Sequence, residues 1–290
     1  MNTLVFDLFG HHTALTNRIV DTLQLSLGKL MLRHFPDGET YLRFYDELKN
    51  KDILIVTSLD QPDKKILPLL FTAQTAKELG ARRVGLVCPY LAYMRQDQCF
   101  NPGEAVTSKY FAGLLSQCVD YLITVDPHLH RYHSLSEIYS IPTQIVSSAN
   151  KISTWINNNV KKPVLIGPDQ ESQQWVAKVA GDNIPYVILE KTRHGDKEVE
   201  ISTPELTKYQ DHTPVLVDDI ISTAHTMIET IRTLQHKDPP VCIGVHAVFA
   251  ADAYERLLHE KVTRVISCNT IIHASNQIDL TDDIIAAIKI

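Results

Sequence analysis

Nothing in this sequence approaches the ~20 consecutive apolar residues that a spanning helix needs, so no membrane segment is expected. Long runs of either charge are also missing, and the formal net charge is −6. That balance argues against a nucleic-acid scaffold or an anionic membrane surface as partner, since each selects a basic face. Cysteine is sparse: Cys88, Cys99, Cys118, Cys242 and Cys268 are scattered, odd in number and form no Cys-x-x-Cys pair. A disulfide framework is therefore not expected, and a reducing compartment, the cytoplasm, is the simplest setting. The opening "MNTLVFDLFGHH" lacks a basic leader and places Asp7 inside its apolar run, so no signal peptide is expected. The chain also lacks a G-x-x-x-x-G-K-[ST] stretch, which excludes the common NTPase phosphate loop.

What is present is alternation. Apolar strand-like runs such as "DILIVTSL", "RVGLVCPYL" and "YLITVDPH" take turns with helix-like runs such as "KKILPLLFTAQTAKELGA" and "SKYFAGLLSQC". The pattern restarts after Pro142 with "TQIVSS" and continues through "PVLIGPD", "YVILEK", "PVLVDDI", "VCIGVHAVFA" and "RVISCNT". Continuous apolar strands interleaved with helices predict an α/β fold with mostly parallel sheets flanked by helices. The 290 residues allow two medium domains, placed at 1–143 and 144–290. Both halves end strands in acid-bearing loops, without the sequence similarity that would establish a repeat.

In open α/β sheets ligands gather at the carboxyl ends of strands. Those ends here are "CPYLAYMRQD", "TVDPH", "IGPD", "LEKTRHGD" and "LVDDIISTAHT", and they hold a large share of the Asp, His, Arg and Lys. The most specific stretch is "PVLVDDIISTAHTM", read as a strand over Val215–Val217, two acids, a turn and a helix beginning near Thr223. Backbone N–H groups at a helix start, with the hydroxyls of Ser222, Thr223 and Thr226, make a cradle for phosphate. Asp218 and Asp219 suit the vicinal hydroxyls of a sugar or the water shell of Mg²⁺. The blander reading is that these residues only cap the helix. A second feature is "RHFPDGETYLRFYDEL", where two alternating aromatic-bearing runs flank a Pro-Asp-Gly turn, as in a long hairpin. "HLHRYH" is not read as zinc, because no Cys or carboxylate pair completes a tetrahedral set nearby. His11 and His12 are read as surface residues.

Taken in order, these motifs resemble the ribose-phosphate diphosphokinase (phosphoribosyl-diphosphate synthetase) family, which has the type I phosphoribosyltransferase fold. The matching stretches are "FPDGE", "PYLAYMRQD", "TVDPHLH", "GPD", "EKTRHGDKEVE", "VDDIISTAHT" and "VHAVFAADAYERL". The resemblance covers nearly the whole chain and is closer to the shorter archaeal-type members after Arg-Gln-Asp. It implies two phosphoribosyltransferase-like domains, transfer of the diphosphoryl group of ATP to ribose 5-phosphate, and Mg²⁺ as cofactor.

Residue by residue, the resemblance implies an ATP set of Phe35, Asp37, Gly38 and Glu39 from one chain with Arg95, Gln96 and Asp97 from another. Self-association as at least a dimer follows from it, with tetramer and hexamer open. Ribose 5-phosphate would meet Arg193, Asp218, Asp219, Ser222, Thr223, Ala224, His225 and Thr226. Metal would meet His128 and Asp169, and Lys191 and Arg193 would be the catalytic cations, next to a closing loop at Gly195 and Asp196. The chain departs from the family where Ala224-His225 replaces glycines in the phosphate loop and Gln170-Glu171-Ser172 replaces glycines after Asp169. Two alternatives stand beside the enzyme: a non-catalytic paralogue that regulates active synthetases, and a transferase that consumes phosphoribosyl diphosphate.

Overall fold

In the computed structural model, residues 2–194, 198–202, 206–234 and 236–289 are described; for 171, 190–194, 198–202 and 206 this means the backbone alone. The chain forms two compact units, residues 1–146 with 281–290, and residues 147–280. Among the described residues no helix is long and apolar enough to cross a membrane.

The first unit runs β1 (Thr3–Asp7), α1 (Thr13–Leu23), β2 (Ser26–Leu27), β3 (Leu30–His34), β4 (Thr40–Phe44), β5 (Asp52–Val56), α2 (Pro62–Glu78), β6 (Arg83–Cys88), α3 (Thr107–Cys118), β7 (Tyr121–Val125) and β8 (Thr143–Val146). Its sheet has the order β2-β1-β5-β6-β7-β8, and every neighbouring pair is parallel. Strands covered on both faces are predominantly apolar, and all five residues of β5 are buried, with Asp52 at its start paired to Arg82 and Arg83. β3 and β4 form an antiparallel hairpin apart from that sheet.

The second unit opens with α4 (Ala149–Asn159) and β9 (Pro163–Gly167), then α5 (Gln173–Ala180), β10 (Tyr186–Ile188), β11 (Glu190–His194), β12 (Glu198–Ser202) and β13 (Thr213–Ile221). α6 (His225–Thr233), β14 (Val241–Ala247), α7 (Ala253–His259), β15 (Arg264–Cys268) and β16 (Asn276–Ile278) complete it, and α8 (Thr281–Ala287) returns to the first unit. The sheet order is β10-β9-β13-β14-β15-β16, with β11–β12 again a separate antiparallel hairpin. Its core joins Ile166, Leu216, Met227, Ile228, Cys242 and Leu257.

Each unit therefore repeats one plan, which the sequence did not disclose. The register can be aligned bond by bond. Gly28 N donates to Val5 O at 2.9 Å, and Leu189 N donates to Gly167 O at 2.9 Å. Leu4 faces Ile53, as Ile166 faces Leu216. Asp7 thus takes the place of Asp169, and Ile55-Val56 take the places of Asp218-Asp219. Gly28 is required at its position, because a β-carbon there would lie 2.3 Å from the ring of Phe6.

Three expectations need correction. The expected cut at 143/144 falls inside the edge of the first sheet: Thr143–Val146 pairs with β7, and the last helix also belongs to the first unit. Asp218 and Asp219 lie within β13, which continues to Ile221 because residues 220 and 221 still pair with β14. His12 is not a surface residue: it is 4% exposed, since α1 begins beside it and covers the ring.

Candidate active site

β9 and β13 are neighbours, and at their carboxyl ends the second unit gathers acids. Asp169 and Asp218 and Asp219 are each half-buried. Asp169 accepts a hydrogen bond from Ser172 N at 3.0 Å, and Asp218 accepts one from Asp219 N at 2.9 Å. Burial, reinforced by the charges of Asp219 and Asp169, pushes the Asp218 carboxyl well above the usual carboxylate range. Carboxylates crowded in this way favour a proton or a hard cation between them.

Beyond β13 the chain turns through Ser222 and Thr223 into α6. The N-cap of that helix is Ala224, at φ 57° and ψ 6°, in the left-handed region. The start of α6 follows directly on this turn, and the positive end of its backbone dipole favours an anion. The strained residue of the Ala224-His225 pair is Ala224, which is 5% exposed. His225 turns outward, with its side chain 67% exposed and Nε2 3.0 Å from Glu229 Oε1. Thr223 is exposed and Thr226 half-buried. Lys191 and Arg193 lie on β11, opposite Ile201 and Val199 of β12. Their side chains, and Gly195 and Asp196, lie outside the described residues.

The first unit presents its candidates on two features. At the tip of the β3–β4 hairpin, Phe35 N donates to Glu39 O at 2.8 Å and Gly38 N to Phe35 O at 2.9 Å. Gly38 has φ +97°, which a β-carbon would strain. Phe35, Asp37 and Glu39 are all exposed. The Arg33 guanidinium lies 4.8 Å from the Phe35 ring centre and 4.3 Å from that of Tyr41, which braces the aromatic.

The second feature is the segment after β6. Arg95 is exposed and Gln96 half-buried, with Gln96 Oε1 accepting from Thr107 Oγ1 at 3.3 Å. Asp97, grouped with the ATP ligands by resemblance, differs from them: its side chain is fully buried and receives Arg131 Nη1 at 2.9 Å and 3.2 Å. Tyr132 Oη also donates to Asp97 O at 3.1 Å. Asp97 thus ties the segment bearing Arg95 to the loop bearing His128. Sequence reasoning missed this pin, because Arg131 sits in a His-rich stretch that attracted a metal reading. His128 is half-buried, with its Nδ1 3.0 Å from His130 Nε2.

Two doubly wound parallel sheets, each with a projecting hairpin and one with an acid-lined strand end before a helix start, define the phosphoribosyltransferase class. Residues 134–283 match the phosphoribosyl transferase domain, and residues 5–118 match the N-terminal domain of ribose phosphate pyrophosphokinase. The chain is 31% identical over 278 residues to a ribose-phosphate pyrophosphokinase of Sulfurisphaera tokodaii, covering 92% of this chain and 94% of that one. It is 32% identical over 281 residues to that of Methanopyrus kandleri, covering 95% of each. In fold it is similar to phosphoribosylpyrophosphate synthetase from Mycobacterium smegmatis, with a TM-score of 0.86 at 20% identity, over 99% and 97% of the two chains. The chain belongs to the ribose-phosphate pyrophosphokinase family.

Proposed function

We propose that this chain transfers the β,γ-diphosphoryl group of ATP to the 1-hydroxyl of ribose 5-phosphate, giving phosphoribosyl diphosphate and AMP. The observation that carries the reading is the set of Asp169, just past β9, with Asp218 and Asp219, in the last part of β13 ahead of the α6 cradle. Acids beside an anion-binding helix start suit a sugar phosphate. The N–H groups of α6 and the hydroxyls of Ser222, Thr223 and Thr226 hold the 5-phosphate, while the carboxylates accept the ring hydroxyls. That places the 1-hydroxyl at a fixed point for attack, and much of the rate advantage comes from such positioning. Lys191 and Arg193 of β11 compensate charge on the diphosphoryl group.

The donor set fits Mg²⁺. Crowded carboxylate oxygens suit a hard cation, and Asp169 and Asp219 are the residues of the second unit that would hold it. Bound there, it supplies charge neutralisation to the nucleotide phosphates. The hairpin tip carries Phe35 for the face of adenine and Asp37 and Glu39 for its donors, with Arg95 and Gln96 supplied by another copy of this chain. An aromatic exposed at 40% on a projecting hairpin fits a role in a second copy's site. The retained acid set favours catalysis over the regulatory alternative, which has no use for it. The test is AMP release by the purified chain. Release that requires both ribose 5-phosphate and Mg²⁺ is expected, and release without ribose 5-phosphate, or none under any condition, overturns the reading.

A further inference from the structure

The first unit has a cleft of its own, about 340 Å³ in volume, beside the carboxyl end of β1 and the base of the β3–β4 hairpin. Asp7, Thr16, Asn17, Lys29, Leu27 and Tyr45 line it. Two of these residues have buried oxygens with no hydrogen-bond partner among the described residues: Asp7 Oδ1 and Thr16 Oγ1. Thr16 is 0% exposed. The other Asp7 oxygen is occupied, accepting His12 N at 3.0 Å and Thr13 Oγ1 at 3.1 Å.

A buried polar atom left unmatched costs about 1–3 kcal/mol, so rotation of Asp7 and Thr16 toward the cleft is favoured by a ligand that pairs with both oxygens. A carboxylate oxygen only accepts, so the ligand must donate to Asp7, whereas a threonine hydroxyl takes either role. Sugar hydroxyls do both. The Asn17 amide extends the polar wall, the Lys29 ammonium suits an anionic substituent, and Leu27 with Tyr45 offers an apolar wall to the C–H face of a ring. Its place in the fold agrees, for the cleft adjoins the carboxyl end of β1 at Phe6, Asp7 and Gly10, and ligands of open α/β sheets bind outside the carboxyl ends of strands. Asp7 also holds the register position that Asp169 holds in the second unit. The volume lies at the small end of ligand clefts, about 300–1,000 Å³, which favours a phosphorylated pentose over a whole nucleotide.

We propose that this cleft is a second ligand site, for a phosphorylated pentose. It is separate from the acid-lined strand ends of the second unit and stands without the catalytic reading. The experiment is calorimetric titration of the full chain with ribose 5-phosphate, without ATP. Two equivalents are expected for the wild type and one for Asp7→Asn. Because Asp7 also braces the start of α1, Asn17→Trp is the second variant. It fills the cleft from an exposed position, and should bind one equivalent with AMP-releasing turnover unchanged. Asp219→Asn should lose the other equivalent and keep this one. A single equivalent in the wild type, or two in Asn17→Trp, overturns the proposal. Displacement of the second equivalent by inorganic phosphate but not by D-ribose, or by AMP in preference to either, overturns the sugar assignment. An Asp219→Asn variant that binds like wild type while Asn17→Trp loses one equivalent would count against the catalytic reading and leave this site standing.

Discussion

Asp218 and Asp219 lie inside β13, two residues short of its end; at the same register in the first unit stand Ile55 and Val56 of β5, both fully buried. Each strand then turns into a helix whose N-cap is left-handed, Ala224 at φ 57° before α6 and Gln61 at φ 50° before α2. The backbone device is the same, but the side chains differ. The turn before α6 carries Ser222 and Thr223 and no acid. The turn before α2 carries Asp60, which accepts Lys65 Nζ at 2.6 Å, while Ser58 O accepts the same ammonium at 3.0 Å. Lys65 also sits 5.7 Å from the centre of the Phe9 ring. The first unit thus fills its own anion cradle with a carboxylate and neutralises it from inside the helix. A phosphate there would meet Asp60, and one before α6 would not. A common plan is compatible with opposite electrostatics, and a few residues at strand ends decide which.

The largest expected effect separates the two hairpins, β3–β4 and β11–β12, which occupy the same place in the plan. Lys191→Ala should lower kcat by roughly 10²–10³, the value of one preorganised charge donor, with KM for ATP changed little. Phe35→Ala on the other hairpin should raise KM for ATP and leave kcat largely intact. Steady-state kinetics on both variants checks this. If Lys191→Ala keeps near-normal kcat, the assignment of chemistry to the second hairpin fails.

Next is the filled cradle. The side chains of Lys65 and Asp60 are 9% and 27% exposed. Removing one member of such a pair strands the other, at a cost of about 3 kcal/mol. Lys65→Met should therefore destabilise the protein by that order in urea unfolding. Lys65→Met combined with Asp60→Thr, which copies the Thr223 turn, should recover most of the loss. A single variant as stable as wild type would mean that the pair is not what closes this cradle.

A smaller effect appears on acidification, and it too divides the units. Burial holds His12 at a pKa of about 4, against an ordinary value of 6.5. Between those values the unfolded chain takes up the proton and the folded one does not, so stability rises with pH and is lost as pH falls from 6.5 toward 4. The loss from neutral pH down to pH 5 amounts to about 2 kcal/mol. His12→Leu should flatten that limb in thermal melts at pH 5–7. Asp218 acts in the reverse direction: its raised pKa favours the ligand-free fold at low pH, and that contribution fades as pH rises through the folded value. An unchanged acid limb in His12→Leu would remove the first unit's share of the contrast.

How far the sequence showed all this depended on whether the deciding contacts were local. Strands such as β5 and β14 were plain because both faces are covered and every residue is buried, all but Asp52 in one and His246 in the other being apolar or glycine. The paired acids stood out against such a strand, and the Pro-Asp-Gly turn marked its hairpin. α1 was not read at all, since "TALTNRIVDTL" buries Leu15, Thr16 and Ile19 amid polar neighbours. α8 was assigned to the wrong unit, because no local pattern says that the last helix packs back on the first. Asp97 looked like its neighbours in Arg-Gln-Asp until Arg131, far along the chain, was seen against it. The repeat stayed hidden because it is written in register and backbone angles, whereas the side chains at equivalent places have become Ile and Val in one unit and Asp in the other.

The finest comparison is between the two left-handed N-caps. An L-residue in that conformation costs roughly 1–2 kcal/mol, and glycine does not incur it but loses about 0.4–1 kcal/mol through the greater freedom of its unfolded chain. Gln61 is exposed, and its amide oxygen accepts from the surface ammonium of Lys64 at 2.9 Å. Gln61→Gly should therefore stabilise the protein by about 0.5–1 kcal/mol. Ala224 is different because its methyl is packed among the core residues of the second unit. Losing one buried methyl costs about 0.8 kcal/mol, which offsets the relief, so Ala224→Gly should leave stability nearly unchanged. His225→Gly should leave ribose 5-phosphate binding undiminished at pH 8, since that ring turns outward to Glu229. Urea melts of the two cap variants, with calorimetry on His225→Gly, separate these outcomes. Equal stabilisation at both caps would show that the Ala224 methyl contributes nothing to packing, and weaker binding by His225→Gly would place the imidazole in the cradle.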